Sequence, residues 1–135
     1  EGLFQVAEAA ASWGIKLALE NVSWCAGWSP AVFRQLNTQN IPNLYYTFDS
    51  KQAMRSGFGP KDFISVMGKR LLNVHFSRDN GYLPGEDTDC SGLASALAEV
   101  QYTGPVVLEV YGSQVASVSS LHRSWRAVKA KLQKK

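Results

Sequence analysis

The sequence has few cysteines and no long apolar run, and each shortage excludes a class of protein. Two cysteines among 135 residues are too few for a disulfide framework, so we expect free thiols and a reducing, cytoplasmic environment. No stretch approaches the roughly 20 apolar residues of a membrane-spanning helix, and no charged-then-apolar leader marks secretion. A 45% hydrophobic content and a net charge of +3 exclude a disordered chain. We therefore expect a folded domain with no membrane partner.

Positive charge is concentrated near one end of the chain. Six of the 14 basic residues fall within the last thirteen positions: Arg123, Arg126, Lys129, Lys131, Lys134 and Lys135. The other eight stand against 11 acidic residues, so the remainder is mildly acidic. Basic side chains in a final helix complement the helix dipole, and a phosphate-binding patch is the alternative interpretation. We expect no nucleic-acid partner.

Short β-rich runs alternate with helical runs along the chain. The pattern predicts strands at 15–22, 44–49, 71–76 and 106–110. It predicts one helix at 2–13 and four more that begin at Ser29-Pro30, Gly59-Pro60, Ser91 and Ser113. Such alternation indicates a parallel sheet with right-handed crossovers. The sequence thus predicts an α/β fold, a single domain over 1–135 in which a helix precedes four parallel βα units.

Four residues able to bind a metal fall at or near the carboxyl ends of the four predicted strands. They are Glu20, Asp49, His75 and Glu109, separated by 29, 26 and 34 residues, about one βα unit each. Because side chains alternate across a strand, all four lie on the mixed face, opposite the apolar face that should meet helices. Parallel α/β proteins place their active sites at this end of the sheet.

Three carboxylates and one imidazole converging there would repel one another unless a cation held them. This donor set suits Mn²⁺, Mg²⁺ or Co²⁺, with Zn²⁺ as a further candidate. Taken singly, each carboxylate could cap a loop or face solvent, and His75 could be a hydrogen-bonded core histidine. Four residues in register favour a shared divalent-metal site.

At these residues the chain resembles the sugar-isomerase-like TIM-barrel superfamily of xylose isomerase-like proteins, ketose 3-epimerases and inosose dehydratase. Four stretches carry the likeness: GIKLALEN (14–21), YYTFDSKQAMRSG (45–57), RLLNVHFSRDNGYLPGEDTD (70–89) and GPVVLEVYG (104–112). The likeness extends only to strands five to eight of that (β/α)₈ barrel. It implies a single xylose isomerase-like half-barrel domain whose metal ligands are Glu20, Asp49, His75 and Glu109.

The resemblance also implies a function. It points to a divalent-metal-dependent isomerase or epimerase acting on a ketose, a sugar phosphate or an inosose, or to a lyase of the inosose dehydratase type. Glu20 and Glu109 would form the catalytic acid/base pair, one removing a carbon-bound proton and the other returning one through an enediolate. The alternative is a non-catalytic module that keeps the fold and binds metal or sugar. A metal-dependent abasic-site endonuclease is disfavoured, because such sites use many histidines and this chain has two.

Several positions bear on how substrate would bind. Gln52 stands where the family commonly has a histidine; it could bind a substrate hydroxyl but is a poorer general base. Gly81 stands where the epimerases have an arginine, and Arg78 is the nearby candidate for that substrate contact. Asp87 replaces a usual glycine. Trp24 is a further substrate-binding candidate, because loop tryptophans stack on sugar faces, although plain loop packing explains it equally well.

A closed barrel needs about 200 to 250 residues, so this chain supplies about half of one. Its outer strands would have unpaired edges. The absence of an initiator methionine and a start inside a helix favour a fragment of a longer enzyme, whose missing N-terminal half completes the barrel. A homodimer pairing two copies edge to edge is a second expectation, and an open sheet shielded by the terminal helices is a third.

Overall fold

Four parallel strands form one sheet at the centre of the molecule. The computed structural model describes residues 2–133, so Lys134 and Lys135 of the basic segment lie outside the described residues. The strands are β1 (Leu17–Glu20), β2 (Leu44–Asp49), β3 (Leu71–Phe76) and β4 (Val106–Leu108), and they lie side by side in chain order. The predicted α/β fold with four parallel strands is confirmed.

Helices connect the strands and cover one face of the sheet. They are α1 (Gly2–Ser12), α2 (Pro30–Gln39), α3 (Ser50–Arg55), α4 (Pro60–Met67), α5 (Ser91–Glu99) and α6 (Val118–Leu132). Neighbouring crossover helices pack in the series α2, α4, α5 and α6. None of the helices within residues 2–133 has the length and apolarity needed to cross a bilayer.

The core beneath β2 is built from aromatic rings. Phe63 is fully buried and meets Phe33 and Phe58 edge-on, each with ring centroids 5.7 Å apart. Phe33 meets Tyr46 of β2 edge-on at 5.0 Å, and the Tyr46 hydroxyl donates a hydrogen bond of 2.8 Å to Asn37 on α2. Edge-to-face contacts of this kind add to the stabilisation from burial. The core therefore fixes the strand that ends at the candidate site.

The predicted strand boundaries are confirmed for the two central strands, β2 and β3. The two outer strands are shorter than predicted, since β1 covers Leu17–Glu20 and β4 covers Val106–Leu108. Each outer strand pairs on one side alone. Ile15, predicted to open the first strand, is exposed. Residues at these edges lack the second set of ladder hydrogen bonds that would extend the strand.

The predicted start of the last helix at Ser113 is wrong. Residues Gly112–Gln114 form a short 3₁₀ turn, and α6 begins at Val118. Ser117 is the N-cap, because its Oγ accepts a 3.1 Å hydrogen bond from the Ser120 N–H while Ser120 Oγ accepts one from Ser117. This capping box satisfies two backbone N–H groups that would otherwise be unpaired. The N-cap of α6 is therefore Ser117, four residues after Ser113.

Two further local predictions need correction. Ser91 does not cap α5 but is its first residue, and its N–H donates to Oδ1 of Asp89 at 2.8 Å. The short helix α3 was not predicted at all, and Asp49 caps it by accepting a 2.7 Å hydrogen bond from the Gln52 N–H. The two cysteines are free thiols, as predicted.

Candidate metal centre

The carboxyl ends of the four strands bring the four candidate ligands together. One ligand atom from each of Glu20, Asp49, His75 and Glu109 lies within 4.8 Å of the others. Asp49 and His75 are direct partners in the β2–β3 register, and the Glu109 N–H donates to the Phe76 carbonyl at 3.1 Å just beyond β4. All four side chains therefore point to the same side of the sheet. Their roles as ligands and catalysts stay predictions.

The His75 ring points its Nδ1 atom into this cluster. Nδ1 lies 3.0 Å from Oε2 of Glu109 and 3.6 Å from Oε1 of Glu20. It nevertheless makes no hydrogen bond with any described residue. A buried nitrogen aimed between two carboxylates is suitably placed to ligate a cation.

Asn73 holds the opposite edge of that ring. Its Nδ2 lies 2.8 Å from Nε2 of His75, while its buried Oδ1 has no partner among residues 2–133. Turning the amide over would let Oδ1 accept the Nε2 proton and leave Nδ1 with a free lone pair. Metal-binding histidines are oriented by a second contact of this kind. Because side chains alternate along a strand, Asn73 lies on the same face of β3 as His75.

Asp49 is the most deeply buried carboxylate of the cluster, with 1% of its side chain exposed. Its Oδ1 caps α3, and its Oδ2 accepts a 2.7 Å hydrogen bond from Lys51. Burial on its own would raise the pKa of Asp49. Hydrogen bonds with Glu109, Lys51 and the Gln52 N–H instead hold that pKa below its ordinary value.

Lys51 is a member of the site that the sequence analysis missed. Its Nζ lies 2.7 Å from Oδ2 of Asp49 and 3.3 Å from Oε2 of Glu109. Burial alone would lower the pKa of Lys51, but the hydrogen bond to Asp49 and the two negative charges raise it above its ordinary value. The ammonium is therefore charged. A lysine two positions after a strand-end carboxylate was the available signal.

Glu20 has the environment expected of a proton-transfer group. Burial, followed by the negative charge of Asp49, raises the pKa of Glu20 above its ordinary value. A carboxyl group whose pKa moves toward the working pH exchanges protons more effectively in general acid–base catalysis.

Asn21 joins the ends of β1 and β2 behind the ligands. Its buried amide donates to the Asp49 carbonyl at 2.9 Å and accepts from the Asp49 N–H at 2.6 Å. We expect Asn21→Ala to lower the free energy of unfolding by about 2 to 4 kcal/mol, because it leaves two buried backbone groups unpaired. Urea unfolding at neutral pH measures this. Gln39→Ala, which removes an exposed amide, is the matched control, and equal effects of the two substitutions would contradict the prediction.

The three predicted substrate-binding residues differ in their surroundings. Gln52 is buried, and its Oε1 accepts hydrogen bonds from the N–H and hydroxyl of Ser23 at 3.1 and 2.8 Å. Trp24 is 80% exposed on the loop after β1. Arg78 pairs with Asp87 at 3.6 Å. Gln52 thus holds the β1 loop through its carbonyl oxygen, and substrate contact by all three stays a prediction.

The backbone conformation and the neighbouring ring explain why position 81 is a glycine. Gly81 has a φ of +79°, and a Cβ there would approach the ring of Tyr111 to 2.6 Å. The Tyr111 hydroxyl accepts a 3.3 Å hydrogen bond from Arg55. An arginine at position 81 would collide with this ring, so the position where the resembling epimerases have an arginine is closed here.

Solved structures of sugar epimerases are similar to this chain. D-psicose 3-epimerase, crystallised in the presence of D-fructose, matches with a TM-score of 0.78 and 20% identity over 96% of this chain and 52% of that one. E. coli 3-keto-D-glucoside 4-epimerase matches with a TM-score of 0.78 and 18% identity, over 95% of this chain and 51% of that one. The IOLI protein with a bound zinc atom matches with a TM-score of 0.67 and 21% identity, over 96% of this chain and 51% of that one. The sequence matches no protein-family model and no curated protein.

The chain has the fold of half a TIM barrel. It spans about half the length of these structures. At identities of 18–21% the likeness establishes the fold alone. The predicted resemblance to xylose isomerase-like proteins and ketose 3-epimerases is confirmed at that level.

Proposed function

We propose that this half-barrel is a divalent-metal-dependent domain of the sugar isomerase or epimerase type. The observation that carries the proposal is the convergence of three carboxylates and one imidazole within 4.8 Å. The similar structures support it, because two are sugar epimerases and a third, the IOLI protein, has a bound zinc atom. The proposed substrate is a ketose, a sugar phosphate or an inosose.

The donor set fits a divalent cation. Oxygen-rich sites with one imidazole suit Mn²⁺, Mg²⁺ or Co²⁺, and Zn²⁺ is also compatible. Glu20, Asp49, His75 and Glu109 would hold the ion, with the unpaired Nδ1 of His75 as the nitrogen ligand. When bound, such a cation polarises a substrate carbonyl and stabilises negative charge on its oxygen.

Glu20 and Glu109 would be the two groups that move protons on the substrate. They belong to the two outer strands, Glu20 as the last residue of β1 and Glu109 just after β4. An epimerisation must remove a carbon-bound proton from one face and return one to the other. One glutamate would take the proton and the other would deliver one, and burial raises the pKa of Glu20 above its ordinary value.

The open inner face of the half-barrel requires a covering. β1 and β4 have unpaired edges, and Val107 on the inner face of β4 is 44% exposed. A second half-barrel would pair these edges, either within the same protein or from a second copy in a homodimer. Sedimentation velocity distinguishes the two arrangements, because formation of a homodimer makes the sedimentation coefficient rise with protein concentration.

The second candidate function is a non-catalytic module that keeps the fold and binds metal or sugar. Two features favour it. Gln52, at the position where the resembling family has a histidine, is hydrogen-bonded to Ser23. A side chain at position 81 would meet the ring of Tyr111. Carbon-bound proton exchange on any ketose or inosose would exclude it.

Metal analysis tests the proposed function. The full chain, purified without chelator, is expected to hold about one equivalent of Mn, Mg, Co or Zn by elemental mass spectrometry. After chelation, adding Mn²⁺ at 100 times its Kd should stabilise the protein by about 2.7 kcal/mol. Glu20→Gln should lose most of this stabilisation, whereas Glu8→Gln on the exposed face of α1 should keep it. Less than about a tenth of an equivalent, with no stabilisation by Mn²⁺, would overturn the proposal.

A further inference from the structure

A buried lysine side chain bridges two of the three carboxylates of the cluster. The Lys51 ammonium bridges Oδ2 of Asp49 at 2.7 Å and Oε2 of Glu109 at 3.3 Å. Only 4% of the Lys51 side chain is exposed. Long lysine side chains ordinarily extend into water, so a buried ammonium is held by its charge partners. Both partners are predicted metal ligands.

We propose that the Lys51 ammonium is a tethered counter-ion that holds the ligand set together without metal and lowers its affinity for divalent cations. The inference rests on the proposed metal-dependent function and adds a determinant of its metal affinity. It assigns Lys51 as a positioning residue, since the side chain acts through Asp49 and Glu109.

Charge balance supports the assignment. Glu20, Asp49 and Glu109 carry three negative charges when ionised, and their ligand oxygens lie within 4.8 Å of one another. Lys51 reduces the net charge of the cluster from three negative to two, counting His75 as neutral. Removing the ammonium leaves the carboxylates to repel one another. The protein without metal should therefore be less stable when Lys51 is replaced by an uncharged residue.

Geometry indicates the effect on metal affinity. Asp49 and Glu109, which would help to hold the cation, are the two carboxylates that Lys51 contacts. Two positive charges held by the same buried carboxylates would repel each other strongly, even at an effective dielectric constant near 20. The lysine cannot move away without leaving a buried charge unpaired. Metal binding must therefore overcome either the repulsion between the ion and the Lys51 ammonium or the cost of displacing that ammonium from its carboxylate partners.

The test compares the full native chain with Lys51→Met, which keeps an unbranched side chain one atom shorter and removes its charge. Isothermal titration with Mn²⁺ after chelation measures the Kd, and thermal unfolding in chelator measures stability without metal. We expect Lys51→Met to bind Mn²⁺ about 100-fold more tightly than the native chain, and to unfold at a lower temperature without metal. Lys69→Met, which removes an exposed charge, should match the native chain in both measurements. If Lys51→Met does not fold, Lys51→Gln provides the same comparison with a polar group.

The outcomes separate this inference from the proposed function. Measurable Mn²⁺ binding with a Kd within about threefold in the native chain and Lys51→Met overturns the inference and leaves the metal site in place. Weaker binding by Lys51→Met also overturns it, because the lysine would then support the ion. No binding by either chain at millimolar Mn²⁺ overturns the proposed function, and the inference with it.

Discussion

If the proposed function is right, we expect Glu109→Gln to lower the rate of carbon-bound proton exchange on a ketose by about 10² to 10⁴-fold. The amide is nearly isosteric with the carboxylate but cannot accept a proton from carbon. Glu109 is suited to this role because its Oε2 lies 3.0 Å from His75 Nδ1 and its side chain is half exposed on the open side of the sheet. Incorporation of deuterium from heavy water into D-fructose, followed by NMR with the Mg²⁺-loaded full chain, measures the rate.

The matched control for this prediction is Glu86→Gln, which changes an exposed carboxylate elsewhere. Metal content is measured for both variants, so that a loss of exchange is separated from a loss of the ion. If Glu109→Gln keeps its metal and exchanges protons at the native rate, Glu109 is not the acid or base. The non-catalytic alternative is favoured instead if the native chain itself shows no exchange.

Replacing Phe63 by alanine lowers the free energy of unfolding by about 3 to 5 kcal/mol. The ring is fully buried and contacts three other rings, with centroid distances of 5.7 Å to Phe33, 6.2 Å to Phe48 and 5.7 Å to Phe58. Truncation removes the transfer free energy of the ring and leaves a cavity among stiff neighbours. The loss is a large part of the roughly 5 to 15 kcal/mol that stabilises a typical domain.

Urea unfolding at 25 °C measures the effect of Phe63→Ala. Phe4→Ala on α1 is the control, because Phe4 is about half exposed and its truncation should cost less than about 1 kcal/mol. A loss below about 1 kcal/mol for Phe63→Ala would show that the four rings do not form the rigid core.

The central strands were predictable because their sequence pattern and their environment agree. β2 and β3 each have a neighbouring strand on both sides, and the predicted boundaries are those observed. The same alternation placed Asp49 and His75 on one face, where the structure has them as direct partners. The ends of β1 and β4 depend instead on what covers the sheet edges, which the local pattern does not encode.

Lys51 shows where the sequence reasoning stops. Strand alternation assigns a face only as far as Asp49, after which the chain turns into α3. The direction of the next side chains depends on the turn that Asp49 caps, and the six-residue helix is too short and polar to show a helical period. A buried ammonium in a segment that reads as solvent-exposed could therefore be found only from coordinates.

The Asp49 carboxylate both caps α3 and faces the carboxylate cluster, and the cap restricts how the carboxylate can turn. Its Oδ1 is fixed by the first turn of α3 while its Oδ2 faces the cluster. The orientation of this carboxylate is therefore set by folding, so little entropy would be lost if Asp49 coordinated the proposed ion. The Glu109 side chain, just beyond β4, is about half exposed, and its Oε2 contacts the side chains of Lys51 and His75. Adaptation to ions of different size should accordingly occur on the Glu109 side, with Asp49 as the fixed reference point.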